Sequence, residues 1–70
     1  MIAVFARYRK DFVELRAVPN RNFKMIRSIE DLAGYHFDGV VFLFDWYYSN
    51  RTAQAYEHLR YRQPELFEKD

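Results

Sequence analysis

The chain contains no cysteine in its 70 residues, so neither a disulfide nor a zinc–thiolate site can hold it together. A chain this short forms at most one domain, spanning residues 1–70, and its core is thin because small folds bury a modest share of their surface. Seven Phe, six Tyr and one Trp make 20% of the residues aromatic. We expect some of these rings to supply the core, and we expect a reducing, cytoplasmic setting.

The formal net charge of +1 is an average over two unlike parts. Residues 1–27 carry seven Lys/Arg and two Asp/Glu, whereas residues 28–70 carry four and eight. This balance excludes a strongly basic tail protein and a polyanionic mimic of nucleic acid. The longest apolar run, Val40–Phe44, is far shorter than the ~20 residues of a spanning helix, so no membrane association is expected.

The first 18 residues show the alternation of a β-hairpin. Ile2–Arg9 and Phe12–Val18 each repeat apolar residues with a period of two, which is typical of strands. With Lys10 and Asp11 as the loop, apolar residues would face each other across the pair, and Arg7 would lie opposite Glu14. The pattern therefore predicts an antiparallel hairpin at the N-terminus.

The middle of the chain indicates a third strand, a short helix and a further strand. Phe23–Arg27 is the short third strand, and Ser28 with an acid three residues later has the form of a helix start. Gly34 can end that helix in the left-handed conformation. Val40–Phe44 is apolar on both faces, which predicts a central strand. Whether it runs parallel or antiparallel to its neighbours stays open.

A second helix begins near Ser49 and ends before Pro64, which itself suits the first position of a final helical turn. The predicted fold class is α+β: an N-terminal β-hairpin in a three- to four-stranded mixed sheet packed with two helices, in the order β-β-(β)-α-β-α. The expected core consists of Val4, Ala6, Val13, Leu15, Ile26, Leu32, Val41, Leu43, Ala55 and Leu59.

Candidate catalytic and metal-binding groups are few. Asp45 follows an apolar strand, where nucleotide-hydrolysing folds place a Mg²⁺ ligand, but such a site also requires a glycine-rich phosphate loop with a lysine. The two glycines of the chain form no such loop. His36, Asp38 and His58 lack the spacing of a metal site. We therefore expect no enzymatic activity, no catalytic residue, no metal and no cofactor.

Consecutive rings after the Val40–Phe44 run suggest an exposed binding surface. Trp46, Tyr47 and Tyr48 cannot all point inward from one strand, and Tyr and Trp are favoured anchors of protein interfaces. The expected partner-binding residues are Trp46, Tyr47, Tyr48, Arg51, Tyr61 and Arg62. The leading hypothesis is a small non-enzymatic protein-binding module. A homo-oligomer built on the same surplus of rings is a further hypothesis.

The alternative hypothesis is binding of single-stranded nucleic acid by one face of the hairpin. Basic groups interleaved with aromatic rings on a sheet pair with phosphates and stack on bases. The residues that would form this face are Phe5, Arg7, Arg9, Phe12 and Arg16. The absence of a basic excess for the whole domain argues against this use.

Residues 26–46 contain a pattern of structural signals. Ser28, an acid, Leu32 and Gly34 come first, and a predicted buried strand and Trp46 follow. This stretch resembles small phage-encoded proteins of unknown function. The resemblance covers about 21 of the 70 residues and implies a phage or mobile-element setting. It also implies that the protein partner is a host factor that this chain modulates or inhibits.

Overall fold

The structure is a computed structural model, and it describes residues 1–67. Three strands form a single parallel sheet in the order β2-β1-β3. In chain order the elements are β1 Ile2–Phe5, α1 Arg9–Arg16, β2 Phe23–Ile26, β3 Gly39–Phe42 and α2 Asn50–Arg62. Short 3-10 segments span Ile29–Leu32 and Pro64–Leu66. The α+β class with two helices and a three-stranded sheet is confirmed. The mixed sheet and the predicted order β-β-(β)-α-β-α are wrong, because α1 stands where a strand was predicted and the helix predicted after Ser28 is only the 3-10 segment Ile29–Leu32.

The predicted N-terminal hairpin is wrong because its second strand is a helix. Residues 9–16 form α1, with Phe12 and Leu15 half-buried and Val13 52% exposed. Phe12 and Leu15 are three residues apart, so they share one side of a helix, a pattern that competes with the period of two. The parallel pairing of β1 with β2 also demands a crossover, which a two-residue hairpin loop cannot provide.

The centre of the sheet is β1, and β3 is an edge strand, so the prediction that Val40–Phe44 is central is also wrong. Val4 and Phe5 of β1 have no exposed surface, while their neighbours in register on β3, Val41 and Phe42, are half-buried and 39% exposed. The chain runs from β1 to β2 on one side of β1, and from there it crosses to β3 on the other side of β1. β1 is therefore the point where the strand order reverses.

The local signals that end and begin the helical segments are confirmed. The Asp31 carboxylate accepts hydrogen bonds from the backbone N–H groups of Arg27 at 2.9 Å and Ser28 at 3.2 Å. Gly34 follows this 3-10 turn with φ of 79°, a conformation that glycine adopts without steric cost. The Ser49 side chain accepts the Thr52 N–H at 3.3 Å and caps α2.

The main core lies between one face of the sheet and α2. It consists of Ala3, Phe5, Ile26, Leu32, Phe37, Ala55 and Leu59, all at most 1% exposed. A layer of half-buried side chains packs against it: Val40, Trp46, Tyr56, Leu66 and Phe67. The rings of Phe5, Phe42, Trp46 and Tyr56 lie 4.9–6.3 Å apart between centroids, so aromatic rings do supply part of the core, as expected.

The predicted core is confirmed at six positions: Val4, Ala6, Ile26, Leu32, Ala55 and Leu59 are buried. Leu15, Val41 and Leu43 are half-buried. The prediction for Val13 is wrong, because its side chain lies on the exposed side of α1. Phe5 was predicted as an exposed hairpin ring, yet it is fully buried at the centre of the sheet.

None of the helices in the described part of the chain has the length and apolar character that crossing a bilayer requires.

Candidate partner-binding site

The carboxyl ends of the three parallel strands meet at one edge of the sheet, and α2 starts beside them. Arg7 follows β1, Arg27 follows β2 and Asp45 follows β3. Open parallel sheets bind their ligands outside this edge, at the point where the strand order reverses. We call the residues Arg7, Tyr8, Arg27, Tyr47, Tyr48 and Arg51 the carboxyl-edge surface.

Arg7 is held at this edge by one acid and two rings. Its guanidinium nitrogen lies 3.6 Å from a carboxylate oxygen of Asp45. Its guanidinium carbon lies 5.3 Å from the ring centroid of Tyr8 and 5.8 Å from that of Tyr48. Both partners of the ion pair are partly exposed, so the pair contributes only about 0–1 kcal/mol. These contacts fix the direction of the guanidinium more than they stabilise the fold.

Beside this cluster lies an open cavity of about 380 Å³, lined by Arg27, Ser28, Tyr48, Ser49 and Arg51. Tyr48 therefore takes part both in the cavity and in the packing of Arg7. Within residues 1–67, no carboxylate oxygen lies within 4.0 Å of the guanidinium nitrogens of Arg27 or Arg51, although the Asp31 carboxylate accepts from the Arg27 backbone N–H at 2.9 Å. The two guanidinium groups are thus available to an external acceptor.

One further acid lies near the cavity. A hydrogen bond from the Ser28 side chain is the main cause that lowers the pKa of Glu30, and the positive charge of Arg51 acts weakly in the same direction. Glu30 is therefore ionised at neutral pH. The edge carries three arginines and three acids, Asp45, Glu30 and Asp31, the last of which accepts from the backbone N–H groups of Arg27 and Ser28. It therefore combines guanidinium groups and aromatic rings without a net excess of positive charge.

The predicted partner-binding residues do not form one surface. Tyr47 is 68% exposed and Tyr48 40% exposed at the carboxyl edge, where Arg51 joins them. Trp46 is half-buried with its ring 5.1 Å from that of Tyr56, so it belongs to the core layer.

The other two predicted partner-binding residues, Tyr61 and Arg62, lie at the C-terminal end of α2. Tyr61 is 89% exposed, and an Arg62 guanidinium nitrogen donates to the Leu32 carbonyl oxygen at 3.0 Å. The ten positions between Arg51 and Tyr61 correspond to roughly 15 Å along a helix.

The residues predicted to bind nucleic acid are dispersed. Phe5 is fully buried and cannot stack on a base. Arg9 and Arg16 are the two terminal residues of α1, and Phe12 is half-buried between them. Only Arg7 reaches the carboxyl edge. No single face presents all five residues, because the predicted hairpin does not form.

The two histidines and Asp38 do not form one cluster. Asp38 accepts from the amino group of Met1 at 2.8 Å, His36 lies 3.9 Å from a carboxylate oxygen of Glu65, and His58 lines a shallow groove on α2. Residues 1–67 contain no group of three or more His, Cys, Asp or Glu side chains placed to hold a metal ion.

Reasoning from the sequence missed Tyr8 and Ser28 as site residues and assigned Arg7 to another surface. The signal was available: each residue lies two or three positions after the last residue of a strand, and in a parallel sheet such positions share one edge. Family models, curated proteins and solved structures were compared with the chain, and no match was found in any of the three.

Proposed function

We propose that the protein is a non-enzymatic module that binds a protein partner in the cytoplasm through its carboxyl-edge surface. The observation that carries this proposal is the double role of Tyr48, which packs against Arg7 and lines the cavity of Arg27 and Arg51. It joins residues from the ends of β1 and β2 and from the start of α2 into one continuous surface.

The residue types at this edge support a protein partner. Tyr and Arg are enriched among the few residues that dominate binding energy at interfaces. Arg7 lies over the ring of Tyr48 at 5.8 Å, so part of the side-chain freedom of both residues is already restricted before a partner binds. Tyr47, with 68% of its surface exposed, offers a large amphipathic ring beside them.

The charges define the chemistry of the partner. The guanidinium groups of Arg27 and Arg51 have no carboxylate oxygen within 4.0 Å in residues 1–67, and a guanidinium group pairs best with a planar, bidentate acceptor such as a carboxylate. We therefore propose a partner surface that presents Asp or Glu side chains next to an apolar patch. The resemblance of residues 26–46 to phage-encoded proteins makes a host protein the first class to test.

A quantitative capture experiment tests this proposal. The immobilised protein is incubated with nuclease-treated host lysate, and bound proteins are compared by mass spectrometry for the wild type, Tyr47→Ser and Arg51→Glu. Tyr61→Ser and Arg60→Glu are matched controls, because the same changes fall on exposed residues at the far end of α2. The captured protein is then purified, and its affinity for each variant is measured by calorimetry.

Interface anchors cost at least ~2 kcal/mol when removed, a loss of about 30-fold in affinity. We expect that loss for both edge variants and less than a two-fold change for both controls. An equal loss in all four variants, or none in any, would contradict the proposal. Capture that occurs only from a parallel lysate without nuclease treatment, with direct binding to a single-stranded oligonucleotide that weakens steeply with salt, would assign the edge to nucleic acid instead.

A further inference from the structure

The outer edge of β3 is open within residues 1–67. The sheet order β2-β1-β3 gives β3 a neighbour on one side only. Exposure shows the same asymmetry: Phe5 of β1 is fully buried, whereas Phe42, its neighbour in register, is 39% exposed. Phe44, just beyond the strand, is 80% exposed.

The hydrogen-bonding groups on this edge can be assigned from one bond. The Leu43 N–H donates to the Phe5 carbonyl oxygen at 2.9 Å, so the polar groups of residue 43, and by alternation those of residue 41, face β1. The N–H and C=O groups of Val40 and Phe42 consequently face away from the sheet. They are an unused template for another strand.

Charged side chains and proline, two of the devices that usually protect a strand edge, are missing here, and the short length of β3, four residues, is the protection that remains. Edge strands are kept apart by charged side chains, proline or bulges, but residues 39–44 are uncharged and contain no proline. The opposite edge differs, because β2 contains Lys24. The acids that flank the β3 run are each paired inside the chain: Asp38 with the Met1 amino group at 2.8 Å, and Asp45 with Arg7 at 3.6 Å.

We propose that β3 pairs antiparallel with β3 of a second copy of this chain. The pairing forms a continuous six-stranded sheet in the order β2-β1-β3-β3-β1-β2. A two-fold axis at Val41 places Val40 of each copy opposite Phe42 of the other and makes four hydrogen bonds between the chains. A second copy fits this edge because residues 39–44 are uncharged and the flanking acids are already paired, so two β3 strands can approach each other without charge repulsion. Contacts that use the same surface of both copies also generate most dimers.

The available area sets the strength of this dimer. Phe42 at 39% and Phe44 at 80% exposure leave roughly 200–300 Å² of ring surface beside the strand. A standard interface buries about 800 Å² per partner. The β3 contact therefore gives a concentration-dependent dimer rather than a permanent one, and the experiment must cover a wide range of protein concentrations.

Sedimentation equilibrium from about 10 µM to 1 mM measures the oligomeric state, and a single introduced cysteine locates the contact. Val41→Cys places its thiol on the two-fold axis, where opposed residues form a non-hydrogen-bonded pair with Cα atoms about 4.5 Å apart. That separation suits a disulfide. Because the wild type has no cysteine, mild oxidation gives an unambiguous band. Val13→Cys, on an exposed position of α1, is the matched control.

We expect a shift from monomer towards dimer with concentration, and a covalent dimer for Val41→Cys that exceeds the control at least ten-fold. Val41→Lys should weaken the dimer at least ten-fold because like charges then face each other, while Val41→Thr should preserve it. A monomer throughout the concentration range would overturn the proposal. So would equal cross-linking of both cysteine variants, or a dimer that Val41→Lys leaves intact while its circular dichroism remains that of the wild type.

Discussion

The side chain of Gln63 satisfies both backbone polar groups of Phe37. Its Oε1 accepts the Phe37 N–H at 2.9 Å, and its Nε2 donates to the Phe37 carbonyl oxygen at 2.9 Å. Gln63 is 2% exposed and Phe37 1% exposed, so no solvent can replace either bond. The end of α2 is thereby attached to the segment that enters β3.

Replacing Gln63 should destabilise the fold strongly. Gln63→Leu keeps most of the volume but leaves two buried backbone groups unsatisfied, which we expect to lower the free energy of unfolding by roughly 2–4 kcal/mol. Urea denaturation, followed by the fluorescence of the single tryptophan, measures this loss. Gln54→Leu is the control, since Gln54 is an exposed residue of the same helix. Equal effects of the two variants would mean that the bonds to Phe37 carry no net energy.

Two truncations, one of a core side chain and one of a surface side chain of α1, test whether Val13 lies on a helix or on the second strand of a hairpin. Leu59→Ala should cost about 2–5 kcal/mol, because Leu59 is fully buried and its removal leaves a cavity. Val13→Ala should change stability by less than about 0.5 kcal/mol, since Val13 is 52% exposed. Thermal denaturation by circular dichroism measures both. A loss above ~2 kcal/mol for Val13→Ala would instead place this residue in a core, as a hairpin requires.

The left-handed conformation at Gly34 has a defined cost. A Cβ at this position meets no atom within 4 Å, yet φ is 79°, so Gly34→Ala should destabilise by about 1–2 kcal/mol through backbone conformation alone. Gly34→Asn should recover part of that loss, because Asn tolerates this region. Gly39→Ala is the control: its Cβ would lie 3.9 Å from Ile2, an ordinary contact. Denaturation midpoints should rank Gly34→Ala below both other variants.

The bond between the Met1 amino group and Asp38 predicts a pH dependence. The hydrogen bond and the charge of that amino group lower the pKa of Asp38 below its ordinary value of about 3.9. A carboxylate whose pKa is lower in the folded state stabilises above the unfolded pKa, and this contribution is lost as the pH falls through the folded pKa. Stability of the wild type should therefore exceed that of Asp38→Asn at pH 7, and the difference should be lost as the pH falls through the lowered pKa of Asp38 in the folded protein.

Acetylation of the Met1 amino group provides the control for this pair. It removes the ammonium charge, so an NMR titration should show the pKa of Asp38 rising towards the ordinary value. A titration curve that acetylation leaves unchanged would show that the amino group does not interact with Asp38 in solution.

The elements with local signals could be predicted from the sequence. The capping residue Ser49, the apolar spacing of Ala55 and Leu59, and Pro64 define α2, because each acts within a few residues of the backbone it controls. The turn from Ser28 to Gly34 follows for the same reason. The residues of Phe12–Val18 fit both a period of two and a helical spacing, so their local pattern does not choose between strand and helix.

The parallel sheet decides between strand and helix for these residues, and it also brings the residues of the carboxyl-edge surface together. Once β1 pairs with two parallel neighbours, residues 9–16 must cross over its face, and a helix is the structure that spans such a connection. Arg7, Arg27 and Arg51 are at least 20 positions apart in the chain, and each is locally only a basic residue after a strand or at a helix start. Only the parallel direction of the three strands brings them to one edge, because strand direction depends on pairing between distant segments.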